Sequence, residues 1–325
     1  MQQLLQKIKS ELDSANKIAI FGHENIDGDS IGGMLWLGKI LEKLWKNISY
    51  FTPYKPSKLY NFLEWIEQIK SDFDYSTYDL LIFIDFAPYE RIGKFTRWKE
   101  EYFNKNKIVI FDHHYSDIPY PNALLLKDEH VTSTCEFIFE TVSRRRPDLI
   151  DNQIATYFYL WLTTDSGNFQ YDEDSLRTMK NAYELLKLWA DKRLIVNKVF
   201  RSKSLNLVQF AQIVLSRIEL NNNVLFSYYE SSELKKFNID EEEADYAMNI
   251  IQNIEWPKLF LLFRNKSKKI KISLRSKWDV NCSRLATQFG GWWHLNASGC
   301  SVDLDEKKDF KSQIKIIVEK MCKVI

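Results

Sequence analysis

The stretch KIAIFGHENIDGDSIGG, residues 17–33, sets a pattern that the first half of the chain repeats. Its apolar run KIAIF suits a strand that is buried on both faces of a sheet. The polar side chains of His23, Asp27 and Asp29 follow directly. Crowding a histidine and two carboxylates into one turn costs free energy unless positive charge lies among them. The same letters also fit a plain turn at Asp27, or a helix cap by Asp29 or Ser30, so this stretch alone leaves both interpretations open.

Two further apolar runs end in polar side chains. YDLLIFIDFA (78–87) carries Asp85, and NKIVIFDHH (106–114) ends in Asp112, His113 and His114. Helical patterns separate these runs, and such alternation predicts a mostly parallel sheet with helices on both faces. Because ligands of such sheets gather at the carboxyl ends of the strands, we expect these polar groups to meet there.

A fourth polar group follows a helical pattern. The segment DNQIATYFYLWLTTDSGNF (151–169) has apolar residues at helical spacing, which places Asp165 just past the end of a helix. An Asp-Ser-Gly turn is also a common way to end a helix with no further role, so this motif is ambiguous by itself.

Length and pattern divide the chain into parts. Its 325 residues exceed one ordinary core, so we expect two domains. We place an α/β catalytic, metal-binding domain at residues 1–188, a charged helical connector at 189–220 and a smaller α/β domain at 221–325. In the last part, KKIKISLRS (268–276) alternates between polar and apolar residues, as a half-exposed strand does.

Composition disfavours several classes of protein. The net charge of +1 predicts no general attraction to nucleic acid. The longest apolar runs, LLIFI and LFLLF, are too short to span a bilayer, and the N-terminus is typical of an amphipathic helix and not of a signal peptide. We therefore expect a cytoplasmic protein with no membrane partner. Neither GxGxxG after the first strand nor GxxxxGK[ST] is present, which disfavours a dehydrogenase and a P-loop enzyme.

The polar groups at the ends of the strands and the helix suggest a metal centre. Four are carboxylates and two are imidazoles: His23, Asp27, Asp29, Asp85, His113 and Asp165. If one carboxylate bridges both ions, six such groups are the right number for two octahedral divalent ions that also hold water and substrate. Nitrogen and oxygen donors without thiolate favour Mn²⁺. Two such ions can activate a hydroxide and stabilise a displacement at phosphorus.

Together these motifs resemble the DHH phosphoesterase superfamily. The matching segments are H-x-x-x-D-G-D at 23–29, Asp85 in FIDFA, DHH at 112–114 and TTDSGNF at 163–169. KISLRS at 271–276 and FGGWWHLNASG at 289–299 resemble the DHH-associated domain, so the resemblance runs from about residue 15 to 303. The two-domain length is most similar to bifunctional oligoribonucleases (nanoRNases), as are STCE at 133–136 and Arg91 in ERIG.

This resemblance implies a role for each matching residue of the first domain. His23 and Asp27 match ligands of one metal, whereas Asp29, His113 and Asp165 match ligands of the other. Asp85 matches the bridging carboxylate. Asp112 matches a group that orients the ligands, and His114 matches the histidine that faces the scissile phosphate.

The resemblance also implies where substrate binds, in a cleft between the domains. Arg275 and His294 match the residues that grip it, since a guanidinium can hold a phosphate bidentately. The remaining substrate-binding candidates are Arg91, Ser276, Gly290, Gly291, Trp292 and Trp293. Trp292 and Trp293 depart from the family, which has glycine there. The two indoles would stack on bases, pack in the core or block the usual path, and the sequence leaves all three open.

Our leading hypothesis is a Mn²⁺-dependent phosphodiesterase that converts very short RNA to mononucleotides. The alternatives are a phosphatase of 3′-phosphoadenosine 5′-phosphate, a cyclic dinucleotide phosphodiesterase and a nucleotide-binding regulator without turnover. The expected partner is a short RNA or a dinucleotide. The sequence leaves the oligomeric state open, with a homodimer as one option.

Overall fold

The computed structural model describes residues 2–24, 26–75, 78–86, 89–113, 120–127, 134–170, 175–266, 268–277, 280–293, 296–305 and 307–323. The chain divides into two units, Met1–Ser202 and Lys203–Ile325. Each unit has its own sheet, and the two are considered separately below.

The first unit contains strands and helices in alternation. Its described strands are β1 Lys17–Phe21, β2 Asn47–Phe51, β3 Ile69–Lys70, β4 Leu80–Ile84, β5 Ile108–Asp112 and β6 Ala123–Lys127. Its helices are α1 Gln2–Ser14, α2 Gly28–Lys43, α3 Glu100–Lys105, α4 Thr134–Arg145, α5 Asn152–Asp165, α6 Ser175–Lys187 and α7 Lys192–Ile195. Short 3-10 segments lie at Lys58–Tyr60, Ile66–Gln68, Tyr89–Phe95 and Pro147–Leu149, and one π-helical turn lies at Val196–Phe200.

The described strands of this unit form one six-stranded sheet in the order β3-β2-β1-β4-β5-β6. Every neighbouring pair is parallel. The chain first builds outward from β1 to β3, and then returns to place β4 on the other side of β1. The border between β1 and β4 is therefore the point where the strand order reverses, which is where doubly wound folds bind their ligands.

Apolar side chains cover both faces of this sheet. On one face, α2 and α5 bury large side chains such as Trp36 and Trp161 against the strands. On the other face, Phe21, Phe83 and Phe103 belong to an aromatic cluster. Burial on both faces explains why β1, β4 and β5 are continuous apolar runs. The predicted α/β class, with a parallel sheet and helices on both faces, is confirmed.

The second unit carries a mixed sheet. Its described strands are β7 Glu219–Asn221, β8 Val224–Glu230, β9 Leu259–Lys266, β10 Lys269–Ser276, β11 Trp292–Trp293 and β12 Ala297–Asp303. Its helices are α8 Leu205–Ser216, α9 Ser231–Phe237, α10 Glu241–Ile251, α11 Cys282–Thr287 and α12 Phe310–Cys322. The strand order is β11-β12-β10-β9-β8-β7, and β8 and β9 pair in parallel while the other neighbours are antiparallel.

Helix α8 begins the second unit. It buries Leu207, Phe210 and Val214 in a core that it shares with α10 and with one face of the sheet. The segment that we expected to connect the domains thus contains the unit boundary, at Ser202. Across the described residues, the helices lack the combination of length and apolar character that is needed to cross a membrane.

Candidate metal centre

Three neighbouring strands bring the predicted polar groups together. His23 follows β1, Asp85 follows β4, and Asp112 ends β5. Because β1, β4 and β5 are adjacent and parallel, their carboxyl ends lie side by side at the point where the strand order reverses. The structure therefore brings together groups that lie up to 89 residues apart in the sequence.

The N-terminus of α2 adds two carboxylates. Asp27 is the N-cap, and its Oδ1 accepts a hydrogen bond of 3.1 Å from the backbone N–H of Ser30. Its other oxygen, Oδ2, lies 3.7 Å from His23 Nε2. Asp29 is buried in the first helical turn, where the helix dipole favours negative charge. The capping and the metal-binding interpretations of this stretch are thus compatible, and Asp27 is the capping residue.

Asp85 is shared between two groups of possible ligands. Its Oδ2 lies 3.6 Å from His23 Nε2, and its Oδ1 lies 3.4 Å from His113 Nε2. His113 Nε2 is also 3.8 Å from Asp29 Oδ2. His23, Asp27 and Asp85 form one set whose ligand atoms lie within 4.8 Å of one another, and Asp29, Asp85 and His113 form a second such set. One carboxylate therefore faces two candidate cation positions.

The backbone at Asp85 is strained. Its φ of 69° is in the left-handed region, which costs a residue other than glycine about 1–3 kcal/mol. The conformation is held by the N–H of Asp85, which donates a hydrogen bond of 2.8 Å to the carbonyl of Phe111 on the neighbouring strand. The strain accompanies the turn that follows β4, where the carboxylate faces both imidazoles.

Carboxylates outnumber cationic groups among the described side chains of this site. The carboxylates of Asp27, Asp85 and Asp112 act on the buried guanidinium of Arg91. Burial lowers the pKa of Arg91, and the carboxylates of Asp85, Asp27 and Asp112 oppose this effect. Burial is also the main reason why the pKa of His23 is lowered, and Arg91 adds to the effect. A neutral imidazole with a free lone pair is the form that binds a metal.

The described side chains fit divalent cations. Among the described residues, neither ring nitrogen of His23 has a hydrogen-bond partner, although the ring is fully buried. The separations of 3.4–3.8 Å between imidazole nitrogens and carboxylate oxygens exceed an ordinary hydrogen bond. Ligands about 2.0–2.2 Å from one cation lie roughly 3–4 Å apart, so these gaps match the spacing around a bound ion. Imidazole and carboxylate groups could therefore hold a metal here.

One predicted member of the site, Asp165, is described in part, and another, His114, is not described. We expected Asp165 just past the end of α5, but it is the last residue of that helix. The side chain of Asp165 and the whole of His114 lie outside the described residues. The end of α5 nevertheless lies against the start of α2. A Cβ built at Gly28 would lie 2.5 Å from Thr164 Cγ2, so only glycine permits this approach.

Sequence reasoning gave no positioning role to Ser30. Its Oγ donates a hydrogen bond of 3.4 Å to the carbonyl of Ile84, the residue before Asp85, and its N–H donates to Asp27. Ser30 thus ties the first turn of α2 to the end of β4. The sequence signal is the serine of D-G-D-S, which by its letters alone suggests only a helix cap.

Part of the expected substrate site is described in the second unit. Arg275 and Ser276 end β10, and the N–H of Ser276 donates a hydrogen bond of 3.0 Å to the carbonyl of Asn296. Gly290 has a φ of 72°, and a Cβ at Gly291 would lie 2.2 Å from the carbonyl oxygen of Gly299. Arg275 and Ser276 thus lie at the end of a strand that pairs with β12, and Gly290 and Gly291 lie just before β11, which also pairs with β12. His294 and the side chains of Trp292 and Trp293 lie outside the described residues.

Comparisons with known protein families and sequences agree with this architecture. Residues 17–160 match the DHH family, N-terminal domain. The chain is also similar to the bifunctional oligoribonuclease and PAP phosphatase NrnA of Bacillus subtilis, at 26% identity over 311 residues, which are 94% of this chain and 95% of that protein. The protein of the same name from Mycoplasma genitalium is 26% identical over 310 residues, 94% of each chain. The family match thus lies within the unit Met1–Ser202, which carries the candidate metal ligands.

Solved structures agree on the fold. An exopolyphosphatase-related protein from Bacteroides fragilis superposes with a TM-score of 0.86 at 24% identity, covering 99% of this chain and 96% of that one. RecJ of Thermus thermophilus in complex with Mn²⁺ superposes with a TM-score of 0.54 at 11% identity, covering 99% of this chain and 54% of that one. Both similarities concern the fold alone.

Proposed function

We propose that this protein is a metal-dependent phosphodiesterase that hydrolyses very short oligoribonucleotides to mononucleotides. The observation that carries the proposal is the carboxylate of Asp85, whose two oxygens face His23 and His113 within two sets of possible metal ligands. The oligoribonuclease and PAP phosphatase activities named for the relatives support the same substrate class.

We further propose that the site takes two divalent ions, with Mn²⁺ as the preferred metal. One ion would be held by His23 and Asp27, and the other ion by Asp29, His113 and Asp165. Asp85 would bind both ions. Bound cations of this kind polarise phosphoryl oxygens and lower the pKa of water, which supplies the nucleophile.

The chain's own residues position these groups. Asp27 is oriented by its cap bond to Ser30, and Asp85 by the neighbouring strand. Arg91 is buried among the carboxylates, where it offsets part of their charge and orients them. Direct contact of Arg91 with substrate remains a prediction, as does the role of Asp112 in orienting ligands and that of His114 at the scissile phosphate.

We propose that the second unit contributes to binding substrate. Arg275 would hold a phosphate, with Ser276 and the backbone of Gly290 and Gly291 close by, and His294 would complete the grip. Trp292 and Trp293 would stack on bases, which is worth about 1–3 kcal/mol per base. An Arg275→Ala variant should then raise KM much more than it lowers kcat.

One experiment separates the candidate reactions. The purified protein is incubated with Mn²⁺ and, in separate reactions, with di- to pentaadenylate, cyclic diadenylate and 3′-phosphoadenosine 5′-phosphate, and products are resolved by chromatography. We expect mononucleotides, released fastest from the shortest RNAs, and no product from Asp85→Asn. If only one small substrate is cleaved, hydrolysis of that substrate would replace oligoribonuclease activity as the proposed function. Tight binding of a dinucleotide without any product would favour a regulator.

The second candidate is a phosphatase of 3′-phosphoadenosine 5′-phosphate. The relatives from Bacillus subtilis and Mycoplasma genitalium are named for both activities. This favours the phosphatase as a second activity beside the oligoribonuclease, and not in place of it. One metal centre would serve both reactions, so both should fall together in Asp85→Asn.

A further inference from the structure

Strand β10 of the second unit has one apolar face and one polar face. Its apolar residues are fully buried in the core that α11 and α12 share with the sheet: Ile270, Ile272 and Leu274. The residues that alternate with them, Lys271, Ser273 and Arg275, are half-buried and lie on the other face. We call these three side chains the β10 row.

The neighbouring strand β12 leaves this polar face open. Residues that pair directly across antiparallel strands lie on the same face of a sheet. The partners of the β10 row on β12 are all small: Ala297, Gly299 and Ser301. The core on this face is built from strand residues of β8 and β9, such as Leu225 and Phe260, and its described members include none from β10 or β12. An open strip of sheet with small side chains therefore lies along the β10 row.

Positive charge accumulates beside Lys271. Its partner across the strands on β9 is Arg264, which is only 4% exposed, and like charges directly opposite each other destabilise a sheet. Burial lowers the pKa of Lys271, and Arg264 adds to this effect. Asp245 and Glu241 oppose it, but Glu241 is shared with Arg264 at 2.8 Å and with Lys266 at 3.0 Å. An anion beside Lys271 would therefore meet a cation whose charge is incompletely compensated.

We propose that the β10 row is a phosphate track for a single-stranded oligoribonucleotide, with one phosphate at each of Arg275, Ser273 and Lys271. Arg275 is the phosphate contact of the proposed function, on which this assignment rests, and Ser273 and Lys271 add two further contacts. Side chains on one face of a strand repeat about every 7 Å, which is comparable to the separation of successive phosphates in an extended single strand. A basic strip that follows the backbone binds single strands without reading their sequence.

The phosphate track ends after Lys271. The next residue on this face is Lys269, which pairs directly with the exposed Asp303 of β12. Opposite charges directly across two strands attract each other, so Asp303 offsets the charge that Lys269 would offer to a further phosphate. The β10 row spans about 13 Å from Arg275 to Lys271, which suits short RNA and gives no added affinity to longer RNA.

Fluorescence anisotropy in EDTA tests the phosphate track, because it measures binding of labelled diadenylate and pentaadenylate without hydrolysis. Lys271→Gln should weaken binding of pentaadenylate about tenfold, since a charged contact is lost, and should leave binding of diadenylate nearly unchanged. The slope of log affinity against log salt concentration should become shallower by about 0.7 for pentaadenylate, which is the value for one phosphate contact on a single strand. Ser273→Ala should also weaken binding of pentaadenylate, but without changing this slope.

The matched control is Lys320→Gln, since Lys320 lies exposed on α12, which packs on the opposite face of the same sheet. This variant should bind like the wild type. Lys271→Arg keeps the charge and should retain most of the affinity for pentaadenylate. Circular dichroism melting checks that all variants are folded.

Asp303→Asn tests the end of the phosphate track. Freeing Lys269 should strengthen binding of decaadenylate more than binding of triadenylate, and an equal effect on both would overturn the proposed end. A wild type that binds pentaadenylate no better than diadenylate, or unchanged binding by both Lys271→Gln and Ser273→Ala, would overturn the phosphate track itself. Absence of product with Mn²⁺ would overturn the proposed function instead, while the difference in binding between the two RNAs would persist. The two failures are therefore distinguishable.

Discussion

At the scale of single residues, Asp85 combines a strained backbone with a shared carboxylate. Asparagine tolerates the left-handed conformation well and has the same shape, but it cannot supply two anionic oxygens to two cations. We expect Asp85→Asn to abolish hydrolysis of diadenylate while the melting temperature of the metal-free protein stays within a few degrees of that of the wild type. Product chromatography and circular dichroism measure the two quantities.

The matched control is Asp72→Asn, which changes an exposed carboxylate of the same unit. This variant should retain wild-type activity. Near-normal turnover by Asp85→Asn would rule out the proposed shared role, and unfolding of this variant would show that the residue is needed for the fold as well.

A second residue-scale prediction concerns Trp45. This tryptophan is 94% exposed and has a φ of 64° just after α2, where the N–H of Lys46 donates to the carbonyl of Leu41 in a Schellman motif. Glycine is the usual residue at this position because it has no Cβ penalty. Trp45→Gly should therefore increase the free energy of unfolding by about 1 kcal/mol, as read from urea denaturation.

The control for this prediction keeps the Cβ atom. Trp45→Ala removes the indole but retains the left-handed strain, so it should leave the midpoint of urea unfolding close to that of the wild type. Equal stabilisation by alanine and by glycine would attribute the effect to the exposed indole instead of the backbone.

At the scale of elements, the N-terminus of α2 performs two tasks through one side chain. Asp27 caps the helix with Oδ1 and faces His23 with Oδ2. Asp27→Asn should keep the cap and the stability, but lose most of the Mn²⁺-dependent activity. Asp27→Ala should lose the activity and also about 1 kcal/mol of stability. Urea denaturation without metal, together with diadenylate hydrolysis, distinguishes the two losses. Equal stability of the two variants would contradict the capping role.

The sequence predicted the elements of the site better than their arrangement. The continuous apolar runs of β1, β4 and β5 could be recognised because all three are buried on both faces. We did not predict β2 or β6. The sequence of β2, NISYF, lacks both a clean alternation and a continuous apolar run, and the apolar run of β6, ALLL, is short and mostly only half-buried. The parallel pairing of β8 and β9 could not be predicted either, because the pattern of apolar residues along one strand does not specify which strand lies beside it.

The residues of the site show the same limit. Motif spacing suggested that His23, Asp85 and His113 belong together, and the sheet places them so. The left-handed turn at Asp85, the bond from Ser30 to the end of β4 and the close approach of Gly28 to Thr164 depend on contacts between distant segments. Such contacts are determined by packing, which a single sequence does not reveal.

At the scale of the whole molecule, all described candidate ligands belong to the unit Met1–Ser202. A ligand that binds only the folded state stabilises it by about 2.7 kcal/mol at a free concentration of 100 times Kd. Mn²⁺ should therefore raise the melting temperature of this unit by about 5–10 °C. Differential scanning calorimetry with Mn²⁺ or with EDTA measures the shift, and the transition of the second unit should stay in place.

Asp85→Asn serves as the control for the calorimetric experiment, because it removes the carboxylate common to both sets of ligands. The variant should lose most of the Mn²⁺-dependent shift. A shift of equal size in the variant would mean that Mn²⁺ binds elsewhere, and no shift in the wild type would contradict the metal centre.

The strand order also has a consequence for biosynthesis. β1 pairs with β2 on one side, but its other edge has to wait for β4, which begins at residue 80. While the ribosome produces the intervening segment, a nascent chain presents an apolar strand with an open edge, and such edges recruit other chains. We expect a chain released before residue 80 to aggregate instead of forming a stable half-sheet, so prompt completion of translation protects this protein as much as its final stability does.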